Sequence, residues 1–315
     1  MTAHLLRRIA VALPMLLLST LLVFLAVSYA GDPLSSLRQP NIAPETLRLR
    51  ARELGLDRPI WERYASWLGG AVRGDLGRDL NGQNVAGELG RRGLVTLRLA
   101  VPALALAILL AVATGFWAAV RRGRLPDRLI GFTVVALLTL PEFWIATVLK
   151  QGGITLNRWT GAEVVATLGD APPGATGSAA HLVLPVLTLA LTAFPLWALY
   201  QRAATIEVLD SDYVLLARAK GLSRPRVLLM HALRTSLTPL VTMVALQIPW
   251  LVGGLVVIEN VFGWHGLGEM LVEGVKQQDT NTVLAFLLVS AVLVTLLNLL
   301  ADLLYGVLDP KVTHG

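Results

Sequence analysis

The chain has 315 residues, of which 55% are hydrophobic and only 15% charged, more apolar than a water-soluble chain of this length usually buries, so a bilayer is its natural solvent. Its formal net charge of +6 rests almost wholly on arginine, which fits nucleic acid, anionic lipid or membrane orientation until the distribution is read. Cysteine is absent, which excludes structural disulfides, thiolate metal sites and cysteine nucleophiles.

In chain order, six apolar runs are each long enough to cross about 30 Å of hydrocarbon at about 1.5 Å per helical residue. They run from Ile9 to Ala30, Leu94 to Val120, Arg128 to Leu149, His181 to Ala204, Leu237 to Ile258 and Val283 to Tyr305. The fold class expected is an all-α membrane protein with about six transmembrane helices. Ser28-Tyr29-Ala30 behind Arg7 and Arg8 resembles a signal cleavage site, but the apolar core is longer than a cleaved signal carries, which favours a retained helix. Three domains follow: an N-terminal transmembrane helix over 1–30, an extracytoplasmic insertion over 31–93, and a five-helix core over 94–310 with a cytoplasmic loop at about 205–236.

Arginines set the orientation. Arg7 and Arg8 precede the first span, Arg121, Arg122, Arg124 and Arg128 fill the loop between the second and third, and Arg202 to Arg234 populate the loop between the fourth and fifth. All lie on one side, which the positive-inside rule makes cytoplasmic, with both termini inside. The arginines of 31–93 are interleaved with acids, in a segment at the length where that rule fails. Within it, Asn41 to Gly55 reads as a capped amphipathic helix, and Ile60 to Leu68 as a second helix. Trp61, Tyr64 and Trp67 on that second helix fit an aromatic belt at the membrane interface, and a docking surface for an external partner is compatible with it. The loop from Gln151 to Ala180 holds Pro172 and Pro173, so at least its second half is expected to be irregular.

From Ser211 to Pro239 the chain is too charged to span a bilayer, yet its signals are ordered. Asp212 or Ser211 can cap one short helix, Gly221 can take the left-handed position that ends it, and Ser223 can cap a second with Pro225 in its first turn. On local physics a lever for a soluble partner and a basic interfacial helix holding anionic lipid are equally good readings. The segment resembles the cytoplasmic loop of binding-protein-dependent ABC permeases of the dipeptide, oligopeptide and nickel branch. It has Ala217-Arg218-Ala219-Lys220-Gly221-Leu222-Ser223, then His231-Ala232-Leu233-Arg234 and Pro239. Against the more general pattern, Leu215 and Leu216 stand where Glu and Ala are usual. Gly31-Asp32-Pro33, Gly74-Asp75-Leu76-Gly77, Gly253-Gly254 with Glu259 and Phe262, Gly266-Leu267-Gly268, Asp302-Leu303-Leu304-Tyr305 and Leu308-Asp309-Pro310 extend the resemblance over nearly the whole chain.

The resemblance implies a type I importer-like permease for peptides, or alternatively for nickel or another small solute. It implies a second homologous permease, two ATPase subunits that bind ATP and Mg, and an extracytoplasmic substrate-binding protein as partners, besides membrane lipid and without nucleic acid. It further implies coupling to the ATPase through Asp212, Tyr213, Leu215, Leu216, Ala217, Arg218, Ala219, Lys220 and Gly221. The residues agree on energy supply: Lys150, Lys220, Lys276 and Lys311 all lack the preceding glycine of a P-loop, so ATP is not hydrolysed here by that route. No catalytic residue, metal site or cofactor is expected in this chain.

Polar groups inside the spans are costly and are functional candidates by default. Glu142 beside Pro141, Gln247 beside Pro249, and Asn298 are expected along a translocation path, whereas Glu259 and Asp302 lie near helix ends and are expected to reach water. Gly253 and Gly254 are expected to serve close helix packing. A secondary transporter would want paired intramembrane carboxylates or an inverted repeat, and neither is evident.

Overall fold

A computed structural model of the chain describes residues 2–30, 45, 49, 51–52, 56–171 and 178–308. The expected helix from Asn41 to Gly55 lies mostly outside the described residues; Gly31-Asp32-Pro33, Pro172-Pro173, Asp309-Pro310 and the Asp302 side chain lie wholly outside them. Among the described residues the regular structure is helical apart from one isolated bridge, Arg78 to Asn84. Four helices are long and apolar enough to cross a membrane, or up to six if two bent helix pairs each count as one span. The chain forms two compact units, residues 1–96 with 265–296 and residues 97–264 with 297–315.

In the first unit, α1 (Thr2–Ala30) and α2 (Ile60–Ala71) are joined through aromatic side chains. The Tyr64 hydroxyl donates to the Leu17 carbonyl at 3.1 Å and lies 3.0 Å from the Thr20 hydroxyl, and the Tyr64 ring centroid is 5.3 Å from that of Phe24. Trp67 is buried with Phe24 and Leu284, while Trp61 is exposed. The three aromatics therefore do not share one interfacial role: a helix turns by about 100° per residue, and only two of them face α1.

A turn follows in which the Asp75 carboxylate accepts from the Gly77 amide at 3.0 Å, and Asp79 accepts from the Asn81 and Gln83 amides. Asp279 caps the helix Thr280–Leu308, accepting from the Thr282 amide and hydroxyl, and also takes the Leu80 amide at 3.2 Å. Burial pushes the Asp279 carboxyl above its usual range, opposed by those hydrogen bonds. Arg92 reaches Glu88, Glu269 and Glu273, tying the start of α3 (Val85–Val120) to the helix Leu267–Gln277.

In the second unit, α4 (Leu125–Thr139) and α5 (Glu142–Thr160) are bent by 108° at Leu140-Pro141. Proline disfavours the helical conformation in the residue before it, and Leu140 is extended at φ −84°, ψ 132°. The third apolar run is thus two helices, and the second continues through Lys150 and Gly153 to Thr160. Lys150 does not break it, because its ammonium donates to the Val261 carbonyl at 2.6 Å and lies 6.0 Å from the centre of the Phe262 ring. Asn157 then pins the following loop by accepting from the Val164 amide and donating to the Val165 carbonyl. The long helices α6 (Ser178–Leu209) and α8 (Arg234–Phe262) pack with α4 and α5, and α7 (Asp212–Ala219) lies between them in sequence. The helices α9 (Leu267–Gln277) and α10 (Thr280–Leu308) complete the described chain.

Candidate coupling surface and membrane path

Helix α7 starts where the sequence signals place it, but not by the expected cap. Ser211 holds the N-cap position, yet its hydroxyl turns back to the Val208 carbonyl, and the first turn is supported by Asp212 beside the positive end of the helix. The other end is a Schellman closure: the Leu222 amide donates to the Ala217 carbonyl at 3.3 Å and the Gly221 amide to that of Arg218 at 3.0 Å. Gly221 stands at φ +79°, and a Cβ built on it would meet nothing within 4 Å, so the demand for glycine is one of backbone conformation rather than space.

The two faces of α7 differ sharply. Val214, fully buried, and Ala217 pack with Val208, Leu222 and Val227, whereas Leu215 and Leu216 are 53% and 56% exposed. Asp212, Tyr213, Arg218, Ala219 and Lys220 are exposed beside them. An apolar pair ringed by two cations is thus presented on a helix that is fastened from behind. Tyr213 adds a second fastening, its hydroxyl donating to the His231 carbonyl at 3.1 Å. The expected second short helix is not separate: after one turn, Arg224–Arg226, the backbone widens into a π-helix, Val227–Leu233, and runs directly into α8.

Two polar links connect this region to the membrane helices. Gln201 on α6 donates to the hydroxyls of Thr205 at 3.0 Å and Ser236 at 2.9 Å, joining α6 to the start of α8 in a buried cluster. Arg202 grips Asp127 of α4 through two hydrogen bonds of 2.7 and 2.9 Å, and Asp127 also accepts from the Gly123 amide. Asp127 and Arg202 were not singled out by sequence reasoning; the available signal was one acid amid the arginines from Arg121 to Arg128.

Glu142 stands at the break between α4 and α5, and a Cβ added to Gly254 of α8 would come within 3.1 Å of both its carboxylate oxygens. Gln247, seven residues before Gly254 and so on the same stripe of α8, accepts from the indole of the fully buried Trp197 at 3.0 Å. The structure thus brings Glu142 and Gln247 to one face of α8. Asn298 is half-buried on α10, with no contact to either of them described. Glu259 does not reach water; it is fully buried, because α8 does not end at Ile258 but runs on to Phe262, itself buried.

A family model described as binding-protein-dependent transport system inner membrane component matches residues 111–314, and a model of the N-terminal part of such membrane components matches residues 1–90. The chain belongs to this family. As an inner-membrane permease component it spans the membrane several times, and it is not itself the catalytic subunit. The permease is 42% identical over 322 residues to the oligopeptide transport system permease protein OppB of Mycobacterium bovis and Mycobacterium tuberculosis, which covers 99% of both chains. It is 34% identical over 316 residues to the glutathione transport system permease protein GsiC of Escherichia coli, over the full length of both. Among solved structures, a chain of the inward-facing MetNI methionine ABC transporter superposes with a TM-score of 0.57. That match covers 70% of the permease and 96% of the other chain at 18% identity, and so bears on the fold alone.

Proposed function

We propose that this permease is one of two homologous membrane subunits of an ATP-driven importer for peptides, energised by two ATPase subunits that dock on α7. An extracytoplasmic binding protein delivers the cargo, and both termini face the cytoplasm. Relatives named for oligopeptides and glutathione support a peptide cargo over a nickel complex. The observation that carries the coupling role is the split between the faces of α7: Leu215 and Leu216 outward with Arg218 and Lys220, Val214 and Ala217 locked against Val227. A groove with an apolar floor and an acidic rim fits that face. Force applied there passes through the π-helix into α8, since Tyr213 and Val214 tie α7 to that segment.

The translocation path in this reading runs along the face of α8 that carries Gln247 and Gly254, with Glu142 opposite and Asn298 contributing from α10. The bend at Pro141 supports it, because a broken helix lets non-helical backbone line a cavity rather than meet lipid.

The test is Gly221→Val in the assembled transporter, reconstituted in vesicles. ATP hydrolysis is expected to continue while peptide uptake falls, because a β-branched residue at φ +79° tilts α7 away from its backing. Unchanged uptake per ATP would overturn the coupling role, and uphill uptake by the permease alone would overturn the importer reading.

A further inference from the structure

In the first unit, a cavity of about 260 Å³ opens among α1, α2 and the start of α10, far larger than the share of about 30 Å³ that one water takes in the liquid. Arg52, Arg58 and Arg63 line it, and among the described residues none of the three forms a salt bridge. Two of its other lining side chains, Trp67 and Thr280, are each 8% exposed, and the Trp67 Nε1–H and the Thr280 hydroxyl have no hydrogen-bond partner. An indole N–H and a guanidinium can only donate. The Trp67 and Thr280 atoms lie behind the wall with almost no accessible surface, so the guanidiniums set the chemistry of the cavity, and among the described residues their charge asks for an anion. Asp75, the one carboxylate among the described lining residues, offsets one of the three cations and leaves that part of the wall net positive.

Depth selects the source. Phe24 of α1 forms part of the lining, with the Arg63 guanidinium 5.6 Å from the centre of its ring. Phe24 lies six residues before the end of α1, about 9 Å at 1.5 Å per residue, while Leu18 and Leu22 on the same helix are exposed and apolar. That places the cavity where the hydrocarbon of a leaflet gives way to headgroups, with the exposed Trp61 on the adjoining helix suited to the same level. Burial lowers the Arg63 pKa from its ordinary value, a cost that a bound anion relieves.

We infer that this cavity is a binding site for the phosphate of an anionic lipid, held by Arg52, Arg58 and Arg63. The site ties α2 to the bilayer surface and does not depend on the coupling role of α7.

The full-length permease in detergent is titrated with phosphatidylglycerol, phosphatidylcholine and inorganic phosphate, with binding read by native mass spectrometry. Phosphatidylglycerol is expected to bind at least about tenfold more tightly than phosphatidylcholine. Arg58→Gln and Arg63→Gln, each removing one guanidinium, are expected to weaken it by about tenfold, the scale of one hydrogen bond to a charged group. The double variant is expected to abolish the preference between the lipids; if it loses helix content, the single variants decide. Wild-type affinity in both single variants, or equal binding of the two lipids, overturns the site. Inorganic phosphate binding as tightly as phosphatidylglycerol overturns the lipid as its source.

Discussion

At Gly221 the physics is local. An L-residue in the left-handed region costs about 1–2 kcal/mol, and asparagine, whose side chain tolerates that region, costs least. Gly221→Asn is therefore expected to keep coupling where Gly221→Val loses it, measured as peptide taken up per ATP hydrolysed. If the two variants behave alike, the left-handed turn is not what matters there. Arg202 poses the opposite problem, a charge that is indispensable because of its partner. The Asp127 side chain is 8% exposed, and removing its cation strands a buried carboxylate. Breaking a fully buried pair costs about 3–5 kcal/mol, and with Arg202 itself 33% exposed the expected loss for Arg202→Ala is about 2–3 kcal/mol. Thermal unfolding of the purified permease checks this, and Asp127→Asn in the same chain is expected to recover part of the loss.

At the scale of elements, the packing of α3 on α6 turns on one missing side chain. A Cβ on Gly115 would sit 2.6 Å from the Ala198 carbonyl and 2.8 Å from the Gln201 Cβ, both on α6. Backbone cannot yield as a flexible side chain does, so Gly115→Ala is expected to cost about 1–3 kcal/mol as overpacking. Gly131→Ala, where the added atom meets nothing within 4 Å, serves as the control and should leave the thermal midpoint unchanged or raised. The α4 to α5 break is of another kind: the apolar run from Arg128 to Leu149 read as one span, and Pro141 alone did not announce a break, since Pro102, Pro185 and Pro195 sit inside continuous helices of the same chain.

For the whole molecule, the orientation drawn from the arginine loops has a direct test, since the chain has no cysteine to give background labelling. Within the second unit, Leu125→Cys at the start of α4 and Val164→Cys in the loop after α5 are both exposed positions. A membrane-impermeant thiol reagent added outside intact cells is expected to label Val164→Cys and not Leu125→Cys, and inverted vesicles should reverse the pattern. Labelling of both from one side would overturn the assigned topology.

Much of this protein was legible in the sequence because its causes are local or statistical. The apolar runs, the asymmetry of arginine, the Gly221 turn and the absence of a P-loop each depend on neighbours in the chain, and hydropathy alone demands helices where no water can satisfy the backbone. Other features required the fold. The third apolar run stops at Leu149, before the charge of Lys150, yet the helix continues to Thr160 because the Val261 carbonyl gives the ammonium a partner. Glu259 looked like a helix-end charge reaching water and is instead fully enclosed. The pairing of Asp127 with Arg202, the stripe shared by Gln247 and Gly254, and the unmet donors of Trp67 and Thr280 join residues that periodicity places on helices without saying which helices meet. Sequence determined the solvent, the helical class and the family; tertiary structure alone decided which buried charges are partnered, because burial and partnership belong to pairs of elements and not to either one.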